Sequence, residues 1–500
     1  MRTPLPLAET QDRSARVETW LRVLVIAVSV FVMLLFVITA LERVRYPYEL
    51  EELEGYVFLN VLRVFHGQSA YPHPSLAFVP YMYPPGYYYV CAALGRVMGM
   101  TIQTLRSVSV LSTLGCFAVI YAMVWSEVRK HLPAIAAAGL YAGCYAECRG
   151  WFDLGRLDSF FVLLVLLAML TTRRAHPVVA ALVWTLAFQT KQSILPAAIV
   201  MLCFDFGRRP QQVRRMLSGL AALVLGVGGS VLWLNHVTHG WYSYYVFTVP
   251  RANADLQLRT AVLFWPADML RPLALALIVI VAGVFFTRPQ WTSRATRFYL
   301  AACSLVPLFW WIRTHSGSTV NALMPVYALV AVLFGIALAR LLRVLPAMPQ
   351  PLATVGVPLL LLAVLVQETA GIYNPGAFRP NQAMTTSMDA VVAQVRAIPG
   401  DAYVTQHPYY AYLAGKPAEA DMVSLHDAMR PEGPARDELR AQVQAAFATH
   451  RYAALIFDHP EAEPAMDAID GGTGWRSEFP VQHAIPGVAS GVRPDWIMLR

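Results

Sequence analysis

Four glutamates, Glu49, Glu51, Glu52 and Glu54, fall within six residues of YPYELEELEGYVFLNVLRVFHGQ, just after an apolar run that ends near residue 41. Carboxylates gathered this closely suit two tasks: taking a proton from a weak nucleophile, or holding a divalent cation. Read as one helix ending near Gly67, at 100° per residue, the segment places Glu49, Glu52, Tyr56, Asn60 and Arg63 on one polar, solvated face. Glu54 and, less cleanly, Glu51 fall instead on the side of Val57, Phe58, Val61, Val64 and Phe65. A carboxylate there loses hydration and holds its proton more tightly, as suits a base or a metal ligand, so Glu54 is the expected catalytic carboxylate and Glu51 its companion. A plainer role, favouring the helix N-terminus through its dipole, also fits both.

Further along, Lys191 is one of three lysines and lies between two short apolar runs, 177–190 and 193–206. An ammonium at that depth either faces a cavity, where it binds phosphate as a point charge, or extends to the surface; the interrupted helix favours the cavity. GWFDLGRLDSFF carries Arg149, Asp153, Arg156 and Asp158 at the mouth of another apolar run, and HSGSTVN carries His315 and Asn321 between two more. Each set also reads as ordinary interfacial ion pairing or hydrogen bonding.

The elements that must position these residues are membrane helices. Hydrophobic residues make up 57% of the 500, charged residues 14%, and mean hydropathy is +0.48, whereas soluble domains carry roughly 25% charge. Collagen, coiled coil and disorder are excluded. The net charge of +8 comes from arginines in short loops between apolar runs, which marks membrane orientation rather than nucleic-acid binding. The six cysteines lie in apolar segments and write neither a disulfide framework nor a zinc site.

Eleven apolar stretches are expected to span: 22–41, 104–126, 132–149, 157–172, 177–190, 193–206, 216–235, 271–287, 298–312, 322–342 and 352–368. Arg2, Arg13, Arg16 and Arg22, Arg129 and Lys130, Arg173 and Arg174, Arg208 to Arg215, Arg288 to Arg297, and Arg340 with Arg343 then share the cytoplasmic side. Residues 1–21 form the cytoplasmic N-terminus, read as preceding a retained first span, and 22–368 a transmembrane domain with first outer loop 42–103. Segment 84–99 reads as a helix on the outer surface. Residues 369–500 form a small extracytoplasmic α/β domain, with helices at 383–397 and 434–449 and strands AYVTQ and AALIFD. The fold class is therefore an α-helical polytopic membrane protein with a small C-terminal α/β domain.

The acidic first loop, HGQSAYP, YPPGYYY, GRLDSFF, AFQTKQS and the late outer domain together resemble the membrane glycosyltransferases of GT-C fold. Bacterial relatives of the protein O-mannosyltransferases and of the lipid A aminoarabinose transferase, often labelled RgtA/B/C/D-like, are the nearest in style. The resemblance covers about residues 20–345. It implies an enzyme that moves a sugar from a polyprenyl-phosphate carrier, with inversion, to an acceptor hydroxyl on a glycan, lipid or protein at the outer face, with the bilayer as its setting. Glu54 stands where the family's Asp-Glu pair has its Glu. Leu53 replaces the Asp, so Glu51 or Glu52 would substitute. Arg156 and Asp158 match the family's Arg-x-Asp element, Gln189, Thr190 and Lys191 its Leu-Thr-Lys element, and Pro84, Pro85 and Tyr87 its PP-aromatic element. Tyr81, Met82 and Tyr83 stand where some relatives carry a second acid.

The expected site thus has Glu54 and Glu51 as catalytic residues, with Lys191, Arg156, Asp158, Arg63, Tyr83, His315 and Asn321 around the substrate and its lipid phosphate. No cofactor is required beyond the lipid-linked donor. A divalent metal is compatible, but no ligand set is assigned. A transporter or lipid flippase would also use broken helices and buried charge, and a polysaccharide ligase would also use lipid-linked donors. Against the first stands the lack of symmetry between halves; against the second, an acidic loop that comes first in the chain.

Overall fold

The computed structural model describes residues 7–458 apart from 206, 208, 289–292, 316, 351 and 450, together with 476–477 and 496–499. Arg2, Arg208 and most of 459–500, which figured in the sequence reading, lie outside the described residues. Each of the eleven apolar stretches coincides with helix: α1 (Leu7–Val44), α4 (Ile102–Val128), α5 (His131–Gly143), α6 (Asp158–Arg174), α7 (Pro177–Phe188), α8 (Leu195–Leu202), α9 (Pro210–Val237), α10 (Leu258–Thr287), α11 (Arg294–Arg313), α12 (Val320–Ala347) and α13 (Leu352–Ala370). Between the first two lie α2 (Glu54–Phe65) and α3 (Gly86–Met98).

Among the described residues, seven helices are long and apolar enough to cross a bilayer, namely α1, α4 and α9 to α13. The remaining four apolar helices are shorter. The expected stretch 132–149 is helical only to Gly143, after which the chain turns and forms a 3₁₀ turn at Trp151–Asp153. That early ending brings 150–156 beside the loop between α1 and α4.

α12 is the hub. Most of its length is buried, and it packs against α4, α5, α6, α10 and α11. By contrast, Leu34 and Leu41 of α1, Leu225, Leu232 and Trp233 of α9, and Ile278, Val281 and Phe285 of α10 are exposed. Large apolar side chains facing outward on several neighbouring helices are what a lipid-facing surface presents. The protein is a multi-pass membrane protein. The arginine pattern predicts that reporter fusions after Arg343 and after Pro375, on either side of α13, report opposite faces of the membrane. The same face for both would remove α13 from the spans.

The C-terminal unit consists of α14 (Gln382–Ala397), β1 (Ala402–Val404), α15 (Pro408–Leu413), α16 (Met422–Met429), α17 (Pro434–Ala448), β2 (Ala454–Phe457), β3 (Arg476–Ser477) and β4 (Trp496–Leu499). Its sheet has the order β1-β2-β4-β3, with β1 parallel to β2 and β4 antiparallel to both its neighbours. The helices at α14 and α17 and both expected strands are present. The unit rests on the loop between α1 and α4: Tyr409 of α15 packs edge-on against Phe58 of α2 at 5.2 Å, Tyr48 stacks on Tyr410, and the Tyr48 hydroxyl bonds Asp389 of α14.

Candidate active site

The acidic loop is built around one arginine that the hydropathy pattern hides. Arg106 lies in α4, fully buried, and its guanidinium donates to the Glu54 carboxylate through Nε (2.8 Å) and Nη2 (2.6 Å). The same side chain donates to the carbonyls of Arg43 (3.1 Å), Tyr46 (2.5 Å) and Tyr48, gathering residues 43–48 around it. Glu54 in turn accepts from the amides of Leu50 (2.8 Å) and Gly155 (2.6 Å). Beside this pair, Arg43 bonds Asp153 (2.7 Å) and the carbonyls of Gly150 (3.1 Å) and Phe378 (2.8 Å). Buried charges persist only when paired and hydrogen-bonded, and both pairs are.

This arrangement corrects the expectation for Glu54. Burial works to raise its pKa, but the Arg106 charge and the four hydrogen bonds outweigh it and hold the carboxyl below the ordinary glutamate value. A carboxylate with both oxygens engaged, and no exposure, is an anchor rather than a base or a metal ligand. The helical register assumed for 49–53 is also wrong: α2 begins at Glu54, and Glu51–Leu53 form a turn whose Glu51 carbonyl accepts from the Glu54 amide at 3.0 Å. Nor is the polar face solvated. Tyr56 donates to the Val79 carbonyl (2.7 Å), Asn60 accepts from the Tyr81 amide (3.4 Å), and both are buried with Glu49.

The other three glutamates differ from one another. Glu49 is buried, with Oε2 2.7 Å from Nδ1 of His407, and its carboxylate lies over Gly55, where a Cβ would meet Oε1 at 1.7 Å. Burial pushes Glu49 up to about 7, against the pull of His407. Glu51 pairs with Nη1 of Arg156 at 2.9 Å; burial raises its pKa, and Arg156 opposes the rise. Glu52 is part-exposed and takes no hydrogen bond or ion pair among the described residues. Its pKa is likewise raised by burial, against the charges of His407 and Arg156. It has the raised pKa that the sequence reading assigned to Glu54, and it is part-exposed besides.

The second half of the site matches the sequence reading more closely. Lys191 stands in the break after α7, before the 3₁₀ turn Gln192–Ile194, and its Nζ donates to Asp158 Oδ1 at 3.0 Å. Asn321 donates to the same oxygen at 3.0 Å. Tyr83 and Phe161 present their rings to the ammonium at 5.8 and 5.7 Å. Arg156 stacks over Trp151 at 4.8 Å, and its charge acts on Asp158 and Glu52 alike. Its buried Nε has no acceptor among the described residues, and neither Asp158 Oδ2 nor Glu49 has a donor in hydrogen-bond geometry.

The YPPG element fixes the break. Pro84 and Pro85 lack amides, so Gly86 supplies the first N–H, which donates to the Gln189 carbonyl at 2.7 Å. A Cβ on Gly86 would lie 2.5 Å from that oxygen, so only glycine permits the approach. Gln192 then bonds the carbonyl of Met82 (3.0 Å), in the loop before α3, and that of Val246 (2.9 Å), in the helical segment after α9.

Two expected residues do not join the cluster. Arg63 lies over the Phe78 ring at 4.3 Å and donates to the Ser69 carbonyl; His315, just beyond α11, bonds the Trp311 carbonyl of that helix at 2.8 Å. Arg156 and Asp158 do not pair with each other, and Arg149 is exposed. Sequence reasoning missed Arg106, Arg43 and His407. An arginine inside an apolar run was a usable signal for Arg106, since ionisable groups in spans usually have buried partners. Among the described residues, no group of three or more His, Cys, Asp or Glu is arranged to hold a metal, and with Glu54 committed to Arg106 the donor set does not fit one.

No family model matches the sequence, and no curated protein matches it. Among solved structures, the chain is similar to ArnT from Cupriavidus metallidurans bound to undecaprenyl phosphate, with TM-score 0.58 and 13% identity over 95% of this chain and 97% of that one. The apo state of the same protein gives TM-score 0.57 and 12% identity over 93% and 97%. At that identity the likeness is one of fold: the chain has the GT-C fold.

Proposed function

We propose that this protein is a glycosyltransferase that moves a sugar from a polyprenyl-phosphate carrier to an acceptor hydroxyl at the outer face of the membrane, with inversion. One observation carries the reading: alternating buried charges, Glu51–Arg156 and Asp158–Lys191, run from the acidic loop to a broken helix, and Glu52 is left as a carboxylate without an ion pair among the described residues. The fold shared with an ArnT structure holding undecaprenyl phosphate supports the same class of donor.

In this reading the lipid phosphate lies between Lys191 and Arg156, whose unused Nε–H is a ready donor to a phosphate oxygen. Glu52 takes the proton of the acceptor hydroxyl as its oxygen bonds the anomeric carbon. The bond from that carbon to the phosphate oxygen breaks, and the lipid phosphate leaves with the electron pair. The two fixed cations meet the charge that gathers there. Asp158 and Asn321 keep the Lys191 ammonium in place.

The test is transfer of labelled sugar from a polyprenyl-phosphate donor by the purified protein in proteoliposomes. Movement of the lipid across the bilayer with no transfer would overturn the reading in favour of a flippase. Lys191→Met is expected to weaken donor binding at least tenfold, on the order of 1.4 kcal/mol for one charge-assisted contact, and to reduce transfer in step. Unchanged donor binding would mean that Lys191 serves only Asp158. Transfer is also expected to fail on the acid side, because the base works only when ionised. With the Glu52 pKa raised, that limb lies above about 4.3, the ordinary glutamate value.

A further inference from the structure

His407 lies at the start of α15, in the C-terminal unit, 1% exposed and between two carboxylates from different parts of the chain. Nδ1 is 2.7 Å from Glu49 Oε2 in the first outer loop, and Nε2 is 3.0 Å from Asp458 Oδ2 at the end of β2. A neutral imidazole has one N–H, so a ring flanked by carboxylate oxygens on both nitrogens is best satisfied as the cation, its charge paired with Glu49 on one side and Asp458 on the other. We infer that His407 is a positioning residue for the transfer reaction: it clamps the acidic loop to the C-terminal unit through Glu49 and sets a positive charge beside Glu52. The inference rests on the glycosyltransferase reading above.

Three further observations support it. Asp458 is itself held, its amide donating to Gln406 Oε1 at 2.8 Å, so the clamp has a fixed far end. Tyr409, two residues beyond His407, donates to the Pro47 carbonyl at 3.3 Å, so the loop is held to the same helix at a second point. Burial lowers the pKa of His407, but Asp458 and Glu49 raise it further, and the balance lies well above the ordinary histidine value. The groups that face this centre are Glu49, Glu52, Glu54 and Arg156 from the membrane domain and Asp458 and Tyr410 from the C-terminal unit. Of these, His407 and Arg156 lower the Glu52 pKa and Asp458 raises it, so loss of His407 leaves Glu52 harder to ionise.

Two variants and two readouts test this on the full-length protein. His407→Gln removes the cation, and Glu49→Gln breaks the clamp but keeps the imidazole beside Glu52. Amide hydrogen exchange over 47–53 is expected to quicken at least tenfold in both. The acid limb of sugar transfer is expected to move to higher pH in His407→Gln, by about one pH unit or more as for an opposite charge at close range, and to stay in place in Glu49→Gln. Quicker exchange with an unmoved acid limb in His407→Gln would make His407 a structural clamp only and overturn its part in the chemistry. Unchanged exchange in both variants would overturn the clamp. If the native protein transfers no sugar at all, the glycosyltransferase reading fails, whereas the exchange measurement still decides whether His407 holds the loop.

Discussion

Glu52→Gln is expected to cut turnover by about 10²- to 10⁴-fold while donor binding stays within about twofold, the pattern left when a positioned base is removed. The choice of Glu52 follows from what the other three carboxylates are doing. Glu54 is locked to Arg106 with both oxygens used, Glu51 is held by Arg156, and Glu49 is held by His407. A base must reach its substrate and must be free to accept a proton, and among the four Glu52 alone is part-exposed and unpaired among the described residues. Gln keeps the shape and loses the basicity, so folding and the phosphate contacts at Lys191 and Arg156 should persist. Normal turnover in Glu52→Gln with a collapse in Glu51→Gln would transfer the role to Glu51, released from Arg156 when the donor arrives.

The largest effect on stability is expected at Glu54. Glu54→Gln leaves the Arg106 guanidinium charged, fully buried and without a counter-ion, and breaking a buried pair in this way costs about 3–5 kcal/mol. The resulting protein should unfold at lower temperature in detergent and lose protection across 43–54, because Arg106 also holds the carbonyls of Arg43, Tyr46 and Tyr48. Adding Arg106→Gln to Glu54→Gln should cost less than the two single changes summed, as residues of one pair do not add. If Glu54→Gln instead matches the native protein in stability and loses only turnover, Glu54 is the base after all.

The apolar helices were legible because hydropathy is a local property: each of the eleven apolar stretches coincides with helix, seven of them long enough to cross a bilayer among the described residues. Arg156, Asp158, Lys191 and Asn321 were legible for a related reason, since a polar residue in an apolar setting stands out wherever its partner lies. Glu54 was misread because its environment is decided elsewhere. A helical projection treats 49–65 as one rod facing one boundary, whereas the chain turns at Glu51–Leu53 and is covered by 79–81 on one side and α15 on the other. The partner that makes Glu54 acidic rather than basic is Arg106, and no local pattern links the two. His407 was beyond reach for the same reason, because its meaning depends on Glu49 and Asp458 meeting it from opposite directions.

The Arg43 and Glu49 contacts also fix an order of events during synthesis. Arg43 requires the carbonyl of Phe378, and Glu49 requires His407, yet both residues enter the membrane more than three hundred residues before these partners are made. At about 5–20 residues per second the interval is roughly 20–70 s. Throughout it the nascent first loop carries charges whose final neighbours do not exist, so these contacts form only after Phe378 and His407 have left the ribosome. A truncated product would therefore hold the sequence motifs of the first loop but not their arrangement, and would be recognisable to quality-control proteases by that unfinished polar surface.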